Sequence, residues 1–122
     1  MNVEKPVFKA GKNLAMKVPP ELFAQTVDFY QTILGLPLAQ LEFTEKGDSV
    51  VFDFDGKNLW IDSREGISRA EIWLEIVADD VAAADRYLTS MGCERCDEVE
   101  LLPEGFNGFW VRGPGSVIHL IN

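Results

Sequence analysis

Side chains able to do acid–base or metal chemistry are scarce in this chain. Its 122 residues contain one histidine, His119. Imidazole titrates near neutral pH, so His119 could serve as an acid–base group, as could a carboxyl such as that of Glu75. A catalytic divalent metal wants about three protein ligands, and a lone histidine does not supply a His-rich set. No spacing suggests a Ser-His-Asp or Cys-His arrangement, and no glycine-rich phosphate loop is present. The two cysteines, Cys93 and Cys96, stand as C-x-x-C. A redox dithiol needs that motif at a helix start, where a thiolate is stabilised. Here it follows a helix and its stop glycine, and alternation along a strand would send the two thiols to opposite faces. The pair is therefore read as inert. What remains is aromatic: the indoles of Trp60 and Trp73, with the His119 imidazole, can stack on flat or cationic ligands.

The bulk numbers narrow the partners. Twenty acids against 11 bases give a net charge of −9. Phosphate backbones select basic surfaces, so nucleic acid is a poor partner, whereas a small cation would be favoured electrostatically. Much of that acidity serves solubility alone. No apolar run approaches the roughly 18 residues of a membrane span. Residues 1–13 have no signal-peptide core, and the protein is expected to be cytoplasmic. Hydrophobic residues make up 47% of the chain, enough for one domain over residues 1–122.

The elements that must carry these groups follow from periodicity. Residues 1–11 read as a leader. Asn13 to Val18 alternates, with Leu14, Met16 and Val18 on one face and Asn13, Ala15 and Lys17 on the other. A helix starts near Pro20, favoured by Pro in its first turn and by Glu21. Leu22, Phe23, Thr26, Val27, Phe29, Tyr30, Ile33 and Leu34 form one broad stripe, and Gly35 stops it. Strands are expected at 39–44, 49–55 and 58–62, with turns at 45–48 and at Asp55-Gly56-Lys57. Phe52, Phe54, Leu59 and Ile61 should face a helix. Val51, Asp53, Asn58, Trp60 and Asp62 should face away from it.

After a polar stretch at 63–69, taken as a linker, the plan recurs. Residues 72–78 read as a strand with Ile72, Leu74 and Ile76 on one face and Trp73, Glu75 and Val77 on the other. Asp79 or Asp80 caps a helix carrying Val81, Ala84, Leu88 and Met91, which stops at Gly92. Strands are expected at 93–102, 109–112 and 117–121. Overlaying Asp28–Gly35 on Asp85–Gly92 gives four identities in eight positions: Asp, Tyr, Thr and Gly. Shared identity with shared element order points to a duplicated βαβββ unit, with a first module at 12–62 and a second at 70–122. The fold class is α+β: two modules forming a cupped mixed sheet with helices outside.

Val18-Pro19, Phe29-Tyr30 and Ile33-Leu34-Gly35-Leu36 resemble the first half of the vicinal oxygen chelate superfamily, which includes glyoxalases, extradiol dioxygenases and bleomycin-resistance proteins. Ala78-Asp79-Asp80-Val81 and Gly113-Pro114-Gly115-Ser116-Val117-Ile118-His119-Leu120 resemble its second half. The resemblance implies metal-ligand positions at Asn13, Trp60, Trp73 and His119. Of these only His119 is a good ligand, because Asn13 is a weak oxygen donor and indole cannot coordinate. It also implies a homodimer.

The expectation is therefore a small-molecule-binding member of that superfamily, without cofactor, holding a drug or metabolite in an aromatic-lined cup. Trp60, Trp73, Asn13, Asp53 and Lys17 would line the cup, and Phe109, Trp110 and Arg112 would add rim or wall. The alternative is a lyase, isomerase or dioxygenase of the glyoxalase type, with His119 and Glu75 as catalytic groups and any displaced metal resting on His119.

Overall fold

The computed structural model describes residues 3–44 and 47–122. The chain divides into two units, one being Lys12–Trp73 and the other Leu74–Asn122 together with the segment that ends at Gly11.

The first unit is built from β1 (Phe8–Val18, its first residues counting with the other unit), α1 (Pro20–Asp28), β2 (Leu38–Thr44), β3 (Gly47–Phe54) and β4 (Lys57–Ser63). The strand order is β2-β3-β4-β1, with β1 parallel to β4 and the other pairs antiparallel. Residues paired across strands share a face. Leu14 lies opposite Leu59, Met16 opposite Ile61, and Phe52 and Val50 opposite Leu59 and Ile61. With Val18 they form a core under Phe23, Val27 and Tyr30 of the helical segment. The alternation read from sequence is the alternation of the fold. Asp55 and Gly56 both take positive φ, which selects a two-residue hairpin turn and sets Asp53 opposite Asn58. Residues 45 and 46 of the expected turn lie outside the described residues, and β3 already begins at Gly47.

The first helical stripe needs correction. After α1 the chain continues as a π-helical turn over Phe29–Ile33, closed by Leu34 N–H donating to Phe29 O at 2.9 Å. A π turn holds more residues than an α turn, so side chains beyond it rotate away from the stripe. Tyr30 stays in the core beside Phe52, with ring centroids 6.0 Å apart. Ile33 and Leu34 turn outward and are exposed; Leu22, before the turn, and Phe29, at its start, are exposed as well.

The second unit holds β5 (Glu71–Ala78, its first three residues counting with the first unit), α2 (Val81–Ser90), β6 (Glu94–Arg95), β7 (Phe109–Arg112) and β8 (Ile118–Ile121). The order is β5-β8-β7-β6, with β5 parallel to β8. Asp80 is the cap of α2, its carboxylate accepting from Ala83 N–H at 2.9 Å. Ala78, Ala84, Phe109, Val111 and Ile121 form the core, with Phe8, Ile76, Val81 and Leu88 packed against it. The strand expected over 93–102 is only two residues long. Trp110 N–H donates to the Asp97 carboxylate rather than to a neighbouring carbonyl, and a 3-10 turn follows at Asp97–Val99. A side chain that takes the ladder's place ends the strand. No helix among the described residues is long and apolar enough to cross a membrane.

Of the residues read as a leader, those from Val7 to Gly11 are structural. Val7 N–H donates to the Asp79 carboxylate at 3.0 Å, Asp79 N–H donates to Val7 O, and the Phe8 and Tyr87 rings lie 6.2 Å apart. Gly11 is buried, and the Glu75 side chain crosses where a Cβ would stand. Gly11→Ala is therefore expected to destabilise by about 1–3 kcal/mol, the usual cost of overpacking. Adding Glu75→Ala should restore part of that loss, as read by thermal unfolding of the single and double variants.

Candidate functional site

The face of the first half-sheet opposite α1 carries Asn13, Ala15 and Lys17 from β1, Asn58, Trp60 and Asp62 from β4, and Ser49, Val51 and Asp53 from β3. A polar chain runs across it. Trp60 Nε1–H donates to Asn13 Oδ1 at 2.8 Å, and Asn58 Nδ2 donates to the same oxygen at 3.1 Å. Indole can only donate, so the atom facing Trp60 must be the Asn13 oxygen. That oxygen in turn fixes the Asn58 amide with its nitrogen inward and its carbonyl outward.

Beside this chain lies an ion pair. Lys17, 4% exposed, sets its ammonium 2.8 Å from Asp62 Oδ2, and Ser49 Oγ donates to Asp62 Oδ1 at 2.6 Å. Lys17 Nζ also stands 4.4 Å from the Trp73 ring centre, and the Arg64 guanidinium carbon 4.9 Å from it. Trp73 Nε1–H donates to Glu71 at 3.2 Å. Trp73 is 3% exposed. With two cations of the chain itself against its ring and so little surface in solvent, it is not an open stacking platform, contrary to expectation. Trp60 is half-buried. Asp53 is exposed at the hairpin end, where Oδ1 accepts from Gly56 N–H at 3.1 Å.

The second unit changes the roles of four expected residues. Phe109 faces the α2 core, so it is neither rim nor wall. Trp110 is buried, with Nε1–H donating to Glu100 O at 2.9 Å. Arg112 pairs with Glu94 at 3.4 Å and Glu98 at 3.9 Å. His119 lies opposite Leu74 on one side and Val111 on the other, and Ile121 of the same strand face packs in the α2 core. The imidazole is thus on the helix side of its half-sheet, not on the face that carries Glu75. It rests over Gly113, with Nδ1 3.0 Å from Val117 O. Glu75 accepts from Asn122 Nδ2 at 3.1 Å. His119 and Glu75 therefore lie on opposite faces of their half-sheet. Cys93 is exposed and Cys96 buried. Burial pushes the Cys96 thiol above its ordinary pKa, aided by Glu98, Asp97 and Glu94 and opposed by Arg112. A thiol held protonated is a poor nucleophile.

Neither a family model nor a curated protein sequence matches this chain. Solved structures do. Methylmalonyl-CoA epimerase from Mycobacterium tuberculosis superposes with a TM-score of 0.64 at 13% identity, over 98% of this chain and 91% of that one. The hypothetical protein BH1468 from Bacillus halodurans C-125 gives 0.66 at 12%, over 93% and 92%. Homoprotocatechuate 2,3-dioxygenase from Arthrobacter globiformis gives 0.64 at 20%, over 99% of this chain but 38% of that one. The chain has the vicinal oxygen chelate fold. At these identities the likeness concerns the fold of that superfamily and not its chemistry.

The divalent metal that the superfamily resemblance implies does not fit the residues here. The Asn13 oxygen already accepts two N–H groups, Trp60 and Trp73 offer indoles, and His119 is turned to the helix side of its half-sheet. Among the described residues no three or more His, Cys, Asp and Glu side chains are grouped to hold an ion.

Asn58, Asp62, Ser49, Arg64 and Glu71 complete the arrangement beyond the residues singled out from sequence. Asn58 and Asp62 were legible as face-mates of Trp60. Their pairing with Asn13 and Lys17 follows from the parallel register of β1 and β4, which the sequence does not display.

Proposed function

We propose that the protein binds a small organic molecule, a drug or a metabolite, on the face of the first half-sheet opposite α1, at its hairpin end, and does so without a metal ion. The observation that carries this reading is the hydrogen-bonded chain from Trp60 through Asn13 to Asn58. It spends the side-chain oxygen at the first metal-ligand position on holding an indole. The result is a rigid aromatic and amide surface of the kind that orients ligands. A hollow of about 320 Å³ beside α1, lined by Met16, Leu22, Gln25, Thr26, Phe29 and Tyr30, opens on the other side of the half-sheet and has no acid or base to orient a ligand.

Trp73 and Trp110 are buried, so collisional quenching of tryptophan fluorescence reports mainly on Trp60. A binding molecule should protect that fluorescence and raise the unfolding temperature. At about 100 times its Kd it adds about 2.7 kcal/mol. Trp60→Ala should abolish both effects, and chelator treatment should change neither. A stoichiometric divalent ion in purified protein, lost on His119→Ala, would overturn the metal-free reading. Ligand hits indifferent to Trp60→Ala would overturn the surface.

A further inference from the structure

We infer that this face selects an organic cation bearing N–H donors, such as an amidinium, a guanidinium or a primary ammonium. The inference rests on the reading of the face as a binding surface and adds its chemical class. It follows from the direction of the hydrogen bonds. Trp60 Nε1 is a donor only, so Asn13 must present oxygen to it, and Asn58 must present nitrogen to Asn13. The Asn58 carbonyl is left pointing outward. It has no donor among the described residues and is not a buried unsatisfied atom, so it faces solvent.

Directly across the ladder from Asn58, on the same face, is Asp53. One carboxylate oxygen of Asp53 accepts from Gly56 N–H at 3.1 Å, which anchors the side chain at the hairpin end. The other oxygen can accept from a ligand. The next pair along the two strands is Val51 and Trp60. The hairpin end of this face therefore offers a fixed carbonyl, a fixed carboxylate and a half-buried indole in adjoining positions. Two acceptors and a π face attract a planar or compact cation and have nothing to offer an anion. Lys17 does not reverse this sign, because its charge is matched by Asp62 at 2.8 Å. The net charge of −9 acts in the same direction at long range.

Three probes of one shape separate the possibilities: benzamidinium, benzamide and benzoate. Each is titrated against the intact protein by isothermal calorimetry, which does not depend on Trp60 as a reporter, at low and at high salt. Benzamidinium should bind at least about tenfold more tightly than benzamide, and benzoate more weakly than either, with the benzamidinium preference shrinking as salt rises. Asp53→Asn keeps an oxygen for Gly56 N–H and removes only the charge. It should weaken benzamidinium about three- to fivefold and leave benzamide unchanged. Equal or tighter binding of benzamide, or no change in Asp53→Asn, overturns the cation class. If benzamide or benzoate binds in a manner lost in Trp60→Ala while benzamidinium does not, the class fails and the binding surface stands. If none of the three binds, both fail.

Discussion

Phe52→Ala is expected to cost about 3–5 kcal/mol, a large share of the stability of a domain this size. Phe52 has no exposed surface and stands opposite Leu59 in the core under α1, beside Tyr30. Truncation removes the transfer energy of a ring and leaves a cavity. β-strand backbones on both sides limit how far the neighbours can close it. Phe54, two residues on and on the same face, is 44% exposed past the hairpin end of that core. Phe54→Ala should cost less than about 1 kcal/mol. Thermal melts followed by circular dichroism distinguish the two. A fall of about 10–20 °C is expected for the first and only a few degrees for the second. Similar falls for both would contradict the described burial.

The second large effect concerns Lys17. Lys17→Met should cost about 3–5 kcal/mol, because it leaves the Asp62 carboxylate, itself only 14% exposed, with the Ser49 hydroxyl as its remaining side-chain partner among the described residues. The Coulombic gain of the pair is offset by the desolvation of two charges, so the pair as a whole contributes much less than its rupture costs. Replacing Lys17, Asp62 and Ser49 together by Met, Leu and Ala should return stability to within about 1–2 kcal/mol of the original. Denaturant titration of the single and triple variants gives both numbers. A triple variant as unstable as Lys17→Met would show that the cluster's value lies elsewhere, most directly in the contact of Lys17 with Trp73 at 4.4 Å.

How much of this was legible depended on local contrast. Along β1, β3 and β4 apolar and polar residues alternate, so the face carrying Asn13, Trp60 and Asp53 could be read directly, and Asp55-Gly56 announced the hairpin that fixes its register. Along β8 the contrast is missing. Ile118 and Ile121 are both nearly fully buried although they point to opposite sides, and such a run cannot say which way His119 points. The alternation of β5 puts Trp73 off the helix side but does not show its burial: Arg64, which lies over its ring, comes from a stretch that reads as a plain polar linker. The π turn after α1 and the diversion of Trp110 N–H to Asp97 leave no periodic trace either. The superfamily pattern marked positions, and the register showed what the side chains there touch.

The segment ending at Gly11 has a consequence for the order of folding. Its bond from Val7 to Asp79 spans 72 positions of sequence. The first unit needs little beyond its own continuous stretch, Lys12–Trp73, and most of its pairings join neighbours in the chain. The second must wait for its own strands and then recover residues laid down before the first unit began. Closing so long a loop is entropically slow. The segment from Val7 to Gly11 is thus expected to be among the last to find its place, and the half it completes to be the later and more exposed to error.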